Sequence, residues 1–270
     1  MELLAKSNYV QQSILIDGVS YFDKETCRII AGPCAAESRD QIMRTAEKLS
    51  KLGVKIFRAG CFKPRTDPYA FQGAGEEGLK WLQEVKDTFG MKIITETSDY
   101  TNFEAVAAVT DIIQIGAKAM YDHSLLKAAG RTSKPILLKK HFSSNVEEMF
   151  KMADYALLEG NHQIMFCERG IRTHETASRF TLDLCAAEVM KHETKAPIIL
   201  DPSHAMGLRY GVPNIAKACV AMGCEGILIE VHCEPERALC DKAQAIDVNK
   251  FASLYENMKQ IGVCIGKKVE

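Results

Sequence analysis

Short apolar segments alternate with amphipathic segments along most of this 270-residue chain. Eight segments are apolar at consecutive rather than alternate positions, which is typical of strands covered on both faces. The predicted strands are residues 28–32, 55–60, 91–96, 111–116, 135–139, 163–168, 197–201 and 226–231. Apolar residues recur at helical spacing between them, which predicts helices over 39–52, 76–89, 146–159, 175–192, 215–222 and 248–261, with shorter ones at 102–108 and 123–129.

Eight strand and helix units within about 240 residues match a (β/α)8 barrel, although a doubly wound open sheet has a similar alternation. The polar residues separate the two folds, because a closed barrel gathers its active-site groups at the carboxyl ends of its strands. Here, polar and charged residues follow the predicted strands from the first to the eighth. The sequence therefore predicts an α/β fold, a single (β/α)8 TIM barrel over residues 28–265. Residues 1–27 are expected to form a short N-terminal β extension, with a β-hairpin against the barrel floor.

The composition is that of an ordinary globular protein. Lysine plus arginine number 34 and aspartate plus glutamate 35, so the formal net charge is −1, and 47% of the residues are hydrophobic. This balance excludes a disordered chain and offers no general attraction for nucleic acid or anionic lipid. The sequence contains no apolar run long enough to span a membrane, and its first residues lack the order of a signal peptide. We therefore expect a cytoplasmic protein with no nucleic-acid or membrane partner.

Four candidate metal ligands follow the first, seventh and eighth predicted strands. They are Cys34 in AGPC, His204 in DPSH, Glu230 in LIEVH and Asp241 in the loop beyond the eighth strand. Barrel closure would make these strands neighbours, so the four side chains could converge on one point. One thiolate, one imidazole and two carboxylates suit Mn, Fe, Co or Zn better than Ca or Mg. The alternative is that Cys34 and His204 are loop residues with ordinary partners, and spacing alone leaves this open.

Basic side chains follow four of the predicted strands. They are Arg58 at the end of the second strand with Lys63 and Arg65 after it, Lys118 after the fourth, Lys139 and Lys140 at the end of the fifth, and Arg169 at the end of the sixth. At the concave mouth of a neutral protein, such a group predicts a focused anion site. The number of cations favours two phosphate-bearing substrates, or one that carries both phosphate and carboxylate. Lys140 and Arg172 are expected to be merely exposed, and Glu96 and Glu168 are either orienting partners or simple counter-charges.

The strand-end motifs resemble a known family from about residue 28 to residue 260. AGPCAAES, FRAGCFKPRTDPYAFQGAGEEGL, DIIQIGA, PILLKK, FCERGIRT, DPSH and IEVHCEPERALCD look like the motifs of the 3-deoxy-D-arabino-heptulosonate 7-phosphate (DAHP) synthases. The likeness is to the short microbial type, which is related to the 3-deoxy-D-manno-octulosonate 8-phosphate (KDO8P) synthases. The family fold is the (β/α)8 barrel, in agreement with the alternation of strands and helices.

The resemblance implies a transferase that condenses phosphoenolpyruvate with erythrose 4-phosphate and releases phosphate, the first step of the shikimate pathway. It implies that Cys34, His204, Glu230 and Asp241 hold a divalent metal ion, that Arg58, Lys63, Lys139 and Arg169 bind phosphoenolpyruvate, and that Arg65 and Thr66 bind the aldose phosphate. The metal would polarise the aldehyde oxygen. Lys63 would either transfer a proton or act through its charge alone. Lys63, Cys34 and His204 are therefore the candidate catalytic residues, and the resemblance also implies a homo-oligomer.

The chain departs from the family pattern where an acceptor would bind. IGAKAMYD stands where the family usually has IGAR and an Asn-containing stretch, so Lys118 is expected to bind substrate through its charge without the planar fork of arginine. KKHFSS and DPSHAMGLRYG also differ, as does Cys233. Two alternatives stay open: the same condensation on a different phosphorylated aldose or related aldehyde, and a non-catalytic barrel that binds metabolites.

Overall fold

The computed structural model describes residues 3–63, 65, 67–97 and 99–270. Twelve strands occur in these residues. They are β1 (Ile14–Ile16), β2 (Val19–Phe22), β3 (Thr26–Gly32), β4 (Ile56–Arg58), β5 (Lys92–Thr97), β6 (Ile112–Ile115), β7 (Ile136–Lys139), β8 (Ile164–Glu168), β9 (Ile198–Leu200), β10 (Gly226–His232), β11 (Ile246–Asp247) and β12 (Lys268–Val269). The eight strands from β3 to β10 correspond to the eight that the sequence predicts.

These eight strands form a closed parallel barrel. Each pairs with the next in chain order, and β10 pairs with β3, with Gly226 opposite Arg28 and Glu230 opposite Gly32. The predicted (β/α)8 TIM barrel is therefore confirmed, and the open-sheet alternative is excluded. Closure places β9, β10 and β3 side by side, as the predicted metal site requires.

Alternate residues of the strands pack on the two sides of the barrel wall. Ile30, Ile94 and Leu228 belong to the buried interior cluster, whereas Ile29 and Ile93 pack in the outer layer against the helices. Both layers are apolar, which explains the consecutive apolar residues of each strand. The interior of the barrel is thus a packed core, and polar groups gather at its carboxyl end.

A two-stranded antiparallel hairpin of β1 and β2 adds to this interior. Its turn is Asp17 and Gly18, with φ of 51° and 76°, the left-handed backbone that a tight type I′ turn needs at both central positions. Ile14, Ile16 and Phe22 are buried with the interior residues of the barrel. The hairpin therefore packs its apolar face on the barrel core and leaves Val19 exposed.

Nine α-helices surround the barrel in the described part of the chain. They are α1 (Arg39–Lys51), α2 (Gly75–Phe89), α3 (Phe103–Val109), α4 (His123–Gly130), α5 (Val146–Leu157), α6 (Leu184–Glu193), α7 (Pro202–Met206), α8 (Val212–Ala221) and α9 (Val248–Cys264). Side-chain caps determine where several of these helices begin, including the Asn145 and Glu148 capping box of α5. None of the helices in the described residues is long and apolar enough to cross a membrane.

The predicted helix over 175–192 is wrong in its first half. Helix α6 begins only after its cap, Asp183, whose side chain accepts a hydrogen bond from the backbone of Ala186. The preceding residues form a loop that doubles back, since Ile171 and Thr181 exchange backbone hydrogen bonds of 2.9 and 3.0 Å. Tertiary pairing of this loop overrides its local helical pattern.

Candidate active site

A cavity of about 370 Å³ opens at the carboxyl ends of the barrel strands. Eight of the residues predicted from the sequence line it: Arg58, Lys63, Arg65, Lys118, Lys139, Arg169, His204 and Asp241. Cys34 and Glu230 are buried beside it, 3.3 Å from Asp241 and 3.1 Å from His204 respectively. Thr66 lies outside the described residues. The structure thus brings together every predicted site residue that it describes.

The four candidate metal ligands form one compact group. One ligand atom from each of Cys34, His204, Glu230 and Asp241 lies within 4.8 Å of the others. They come from the loop after β3, from α7, from β10 and from the loop beyond β10. Asp241 has a φ of 50°, a strained conformation for a residue with a side chain, and such conformations persist where the surroundings impose them.

The protonation of this group is set by burial and by its own charges. Burial lowers the pKa of the His204 imidazole below its ordinary value. For the Asp241 carboxyl, burial is outweighed by His204, Arg179 and Lys63, which lower its pKa. The hydrogen bond to Cys240, burial and the Glu230 carboxylate raise the pKa of the Cys34 thiol well above its ordinary value. A cation among these groups would reverse the last effect, because it favours the thiolate.

These residues fit a divalent metal ion. Nε2 of His204 faces Glu230 and Asp241, at 3.1 and 3.8 Å, while its Nδ1 lies 2.7 Å from Oδ2 of Asp201. A metal-binding histidine usually contacts a carboxylate through its other ring nitrogen, because this contact fixes the orientation of the ring and its tautomer. The donor set of sulfur, nitrogen and two carboxylates suits a borderline divalent ion.

The inner cations of the cavity are paired with buried carboxylates. Arg58 lies 3.3 Å from Glu230 and 3.6 Å from Glu96, and Lys139 lies 2.5 Å from Asp201. Burial opposes the charge of Glu96, but Lys63 and Arg58 outweigh it and lower the pKa of this carboxyl. Each pair offsets part of the cost of burying its charges, because an unpaired charge in the interior would be costly.

Lys63 reaches the site across Gly60. A Cβ atom at Gly60 would lie 2.7 Å from Cδ of Lys63 and 3.1 Å from the Cys34 carbonyl oxygen, so a side chain at this position would displace the lysine. Nζ of Lys63 lies 3.7 Å from Glu96. Burial opposes its charge, but Cys34 and Glu96 outweigh burial and raise the pKa of Lys63 above its ordinary value. Lys63 is therefore an ammonium group, which brings a positive charge to the site.

The outer cations repel one another. Burial, followed by Arg65 and Arg179, lowers the pKa of Lys118, and burial also lowers the pKa of Arg169. Arg65 donates to Sγ of Cys240 at 2.6 Å. Like charges held close together at a concave surface favour a bound anion, which relieves their repulsion.

Several site residues were missed by the sequence analysis. Asp201 connects Lys139 to His204, and its place in DPSH, three residues before the histidine, was the available signal. Arg179 lines the cavity and pairs with Asp241 at 3.2 Å. It was not predicted as a site residue because it falls within the helix predicted over 175–192. Gln244 donates to Glu230 at 2.6 Å, and Sγ of Cys240 lies 3.0 Å from Sγ of Cys34. No sequence pattern pointed to these last two residues.

The expectation that Lys140 is merely exposed is wrong. Its side chain is 2% exposed and its Nζ lies 3.5 Å from Glu168. Burial raises the pKa of Glu168, whose Oε1 accepts hydrogen bonds from the backbone of Gly170 and Asp183. Glu168 is therefore the counter-charge of Lys140, and this pair belongs to the protein interior. Arg172 is exposed at the cavity rim, and it lines the cavity.

A closed parallel barrel with its polar groups and a cavity lined by cations at the carboxyl face has the architecture of a TIM-barrel enzyme. The chain matches the DAHP synthetase I family over residues 11–266. It therefore belongs to this family, whose members are transferase-type aldolases, and the resemblance seen in the motifs is confirmed.

Individual relatives agree with this membership. The chain is 46% identical over 241 residues to the phospho-2-dehydro-3-deoxyheptonate aldolase of Thermotoga maritima, covering 89% of this chain and 71% of the relative. It is 32% identical over 270 residues to the 2-dehydro-3-deoxyphosphooctonate aldolase of Glaesserella parasuis, covering 93% and 94%. The crystal structure of the Thermotoga maritima DAHP synthase superimposes with a TM-score of 0.93 at 43% identity, over 97% of this chain and 77% of that one.

Proposed function

We propose that this protein condenses phosphoenolpyruvate with erythrose 4-phosphate to give DAHP and inorganic phosphate. In this reaction a bond forms between C3 of phosphoenolpyruvate and the aldehyde carbon, water adds at C2, and the bond from C2 to the phosphate oxygen breaks. The observation that carries the proposal is the placement of four metal-ligand side chains within 4.8 Å of one another, beside a cavity lined by cations. Family membership and the Thermotoga relative support it.

The cations would bind the two substrates together although both are anions. Arg58, Lys139 and Arg169 are the proposed contacts of phosphoenolpyruvate, and Arg65, Thr66 and Lys118 those of the acceptor. Fixed positive charges offset the repulsion between substrates and the negative charge that develops during bond formation. Because they are held in place before the substrates bind, they need little rearrangement during the reaction.

Lys63 would supply the proton that the aldehyde oxygen gains when it becomes a hydroxyl group. Its raised pKa means that it carries this proton before the reaction, and Glu96, 3.7 Å away, would hold the ammonium group in position. General acids within reach of the reacting oxygen contribute typically 10²–10⁴-fold to a rate.

Cys34, His204, Glu230 and Asp241 would hold a divalent ion, with Mn, Fe, Co and Zn as the candidates. When bound, such an ion would polarise the aldehyde oxygen as a Lewis acid. Asp201 would keep Nε2 of His204 directed toward the ion through its contact with Nδ1. The homo-oligomer and the cytoplasmic location expected from the sequence stay predictions.

The test is the loss of phosphoenolpyruvate absorbance in protein supplied with Mn²⁺. Erythrose 4-phosphate is the acceptor in one cuvette and arabinose 5-phosphate in another, and product formation is checked by mass spectrometry. We expect rapid loss with erythrose 4-phosphate alone. Activity only with arabinose 5-phosphate, or with neither acceptor, would contradict the proposal.

The second candidate is the same condensation on another phosphorylated aldose or a related aldehyde. It is favoured by Lys118, which lines the cavity and lacks the planar fork of the arginine usual at that position. Binding of phosphoenolpyruvate without turnover of either acceptor would direct the search to such aldehydes. Absence of phosphoenolpyruvate binding would instead favour a non-catalytic barrel.

A further inference from the structure

Two aromatic rings stack at one wall of the cavity. The ring centroids of Phe142 and Phe180 lie 5.3 Å apart at an interplanar angle of 25°. Phe142 comes from the loop after β7 and Phe180 from the loop after β8, and both line the cavity. Neither ring entered the predictions from sequence, because the two residues are 38 positions apart and share no motif.

A guanidinium group lies over each of the two rings. The guanidinium carbon of Arg172 lies 4.4 Å from the centroid of Phe142, and that of Arg169 lies 4.4 Å from the centroid of Phe180. Both distances are well within the range of a cation–π interaction. The four side chains form one unit, which we call the Phe142/Phe180 stack.

Neither arginine of the stack has a carboxylate partner in the part of the chain that the structure describes. Among the described residues, no carboxylate oxygen lies within 4.0 Å of the guanidinium nitrogens of Arg169 or Arg172. Lys139 and Arg179 differ, since they pair with Asp201 and Asp241. A carboxylate partner neutralises a cation, whereas an aromatic ring holds a guanidinium group and leaves its charge in place. The stack therefore offers two oriented positive charges to the cavity.

The backbone builds the stack in place. The amide of Arg172 donates to the carbonyl of Phe142 at 2.9 Å, and the amide of Phe180 donates to the carbonyl of Ala205 at 2.8 Å. Gly170 has a φ of +98°, and a Cβ atom there would lie 2.6 Å from Cβ of Phe180. Glycine is needed at this position because only it allows both the left-handed backbone and the close approach of Phe180.

We propose that Phe142 and Phe180 are positioning residues, which hold Arg172 and Arg169 for the phosphate or carboxylate groups of the substrates, and that Arg172 is an anion-binding residue of the cavity. The identity of these anions rests on the proposed function. The effect of the rings on anion binding does not require turnover, so the two proposals can be tested separately.

The first experiment measures phosphoenolpyruvate binding to the full-length chain by isothermal titration calorimetry. Phe180→Leu should raise the Kd about 3- to 10-fold, which is the range of a cation–π interaction. Phe180→Tyr keeps the ring and should bind within about twofold of the parent. Phe89→Leu, the same change at a half-buried ring outside the cavity, should leave the Kd unchanged. Equal effects of Phe180→Leu and Phe180→Tyr would overturn the proposal.

The second experiment is a double-mutant cycle with inorganic phosphate as the probe. Phe142→Leu and Arg172→Met should each weaken phosphate binding, and Phe142→Leu should add little when Arg172 is already Met, because the two act as one unit. Both residues lie at the surface of the site, with Phe142 half-buried and Arg172 exposed, so these variants test the idea even if Phe180→Leu is unstable. An undiminished effect of Phe142→Leu in the Arg172→Met background would overturn the proposal.

Turnover separates this proposal from the proposed function. In an active protein, Phe180→Leu should raise KM for phosphoenolpyruvate about 3- to 10-fold with kcat nearly unchanged, a split that general loss of structure would not produce. A parent that binds phosphoenolpyruvate without turnover would contradict the proposed function alone. An active parent whose ring variants bind and turn over normally would contradict the positioning role alone.

Discussion

Nδ1 of His204 lies 2.7 Å from Oδ2 of Asp201, and the same oxygen lies 2.5 Å from Nζ of Lys139. One buried carboxylate thus contacts a candidate metal ligand and a candidate phosphoenolpyruvate contact. Burial opposes its charge, but His204 and Lys139 outweigh burial and hold the pKa of Asp201 well below its ordinary value. Asp201 therefore links the two halves of the site, which are the candidate metal ligands and the candidate contacts of phosphoenolpyruvate.

Replacing Asp201 by Asn should affect both halves. The amide cannot balance the Lys139 charge, so the free energy of unfolding should fall by about 3–5 kcal/mol, the usual effect of breaking a buried ion pair. Metal affinity should fall about 10- to 100-fold because His204 loses its supporting carboxylate. Urea unfolding and metal titration measure the two effects.

The control for this change is Asp87→Asn on α2, where the carboxylate is exposed and accepts from Gln83. It should change stability by less than about 0.5 kcal/mol and leave metal affinity unchanged. Normal metal affinity in a folded Asp201→Asn protein would show that His204 needs no support from Asp201.

Cys34→Ala should abolish metal-dependent turnover while the protein stays folded. The variant removes the sulfur ligand from a four-residue group, and three ligands should bind metal much more weakly. Metal content after dialysis and turnover with erythrose 4-phosphate are the measurements. Cys264→Ala, at an exposed thiol, is the matched control and should behave as the parent. Full activity of the Cys34→Ala protein would rule out a metal role for this residue.

Metal binding should strengthen as the pH rises. Without metal, the hydrogen bond to Cys240, burial and the Glu230 carboxylate hold the pKa of the Cys34 thiol well above its ordinary value, so binding of an ion must displace the thiol proton. Burial lowers the pKa of His204, and neighbouring cations lower the pKa of Asp241, so neither group adds a proton that the ion must displace. One proton should therefore leave per ion bound, and affinity should rise about tenfold per pH unit.

Calorimetry of Mn²⁺ binding in two buffers of different ionisation enthalpy counts the protons released. The Cys34→Ser protein should bind weakly and release none from this position, because a serine hydroxyl stays protonated. Affinity in the parent that is independent of pH between about 6 and 8 would contradict the assignment of Cys34 as a thiolate ligand.

Gly170→Ala should destabilise the protein by about 2–6 kcal/mol. The change combines a strained backbone at φ +98° with a contact of 2.6 Å to Cβ of Phe180, and each effect costs about 1–3 kcal/mol. Gly90→Ala is the control, since its φ is +65° but no atom of the described residues lies within 4 Å of an added Cβ atom. It should cost about 1 kcal/mol. Equal losses in urea unfolding would mean that the Phe180 contact carries no additional strain.

Local pattern was sufficient for the strands but not for every helix. Each barrel strand is apolar at consecutive positions because both of its faces are covered. This pattern identifies a strand in the sequence even when its partner strands are unknown. The loop around Ile171 and Thr181 has a helical pattern, yet its backbone pairs with itself and with Ala205. Contacts between distant segments decide such a loop, so its helical spacing was misleading.

The sequence by itself determined the barrel, the four candidate metal ligands and most cations of the cavity, because the ends of parallel barrel strands meet at one face whatever the loops do. Only the tertiary structure decided which charges are paired. It buried Lys140 against Glu168, placed Asp201 between Lys139 and His204, and stacked Phe142 on Phe180. The reason is physical: pairing depends on side-chain distances of a few ångströms between residues far apart in the chain, and spacing along a sequence does not encode those distances.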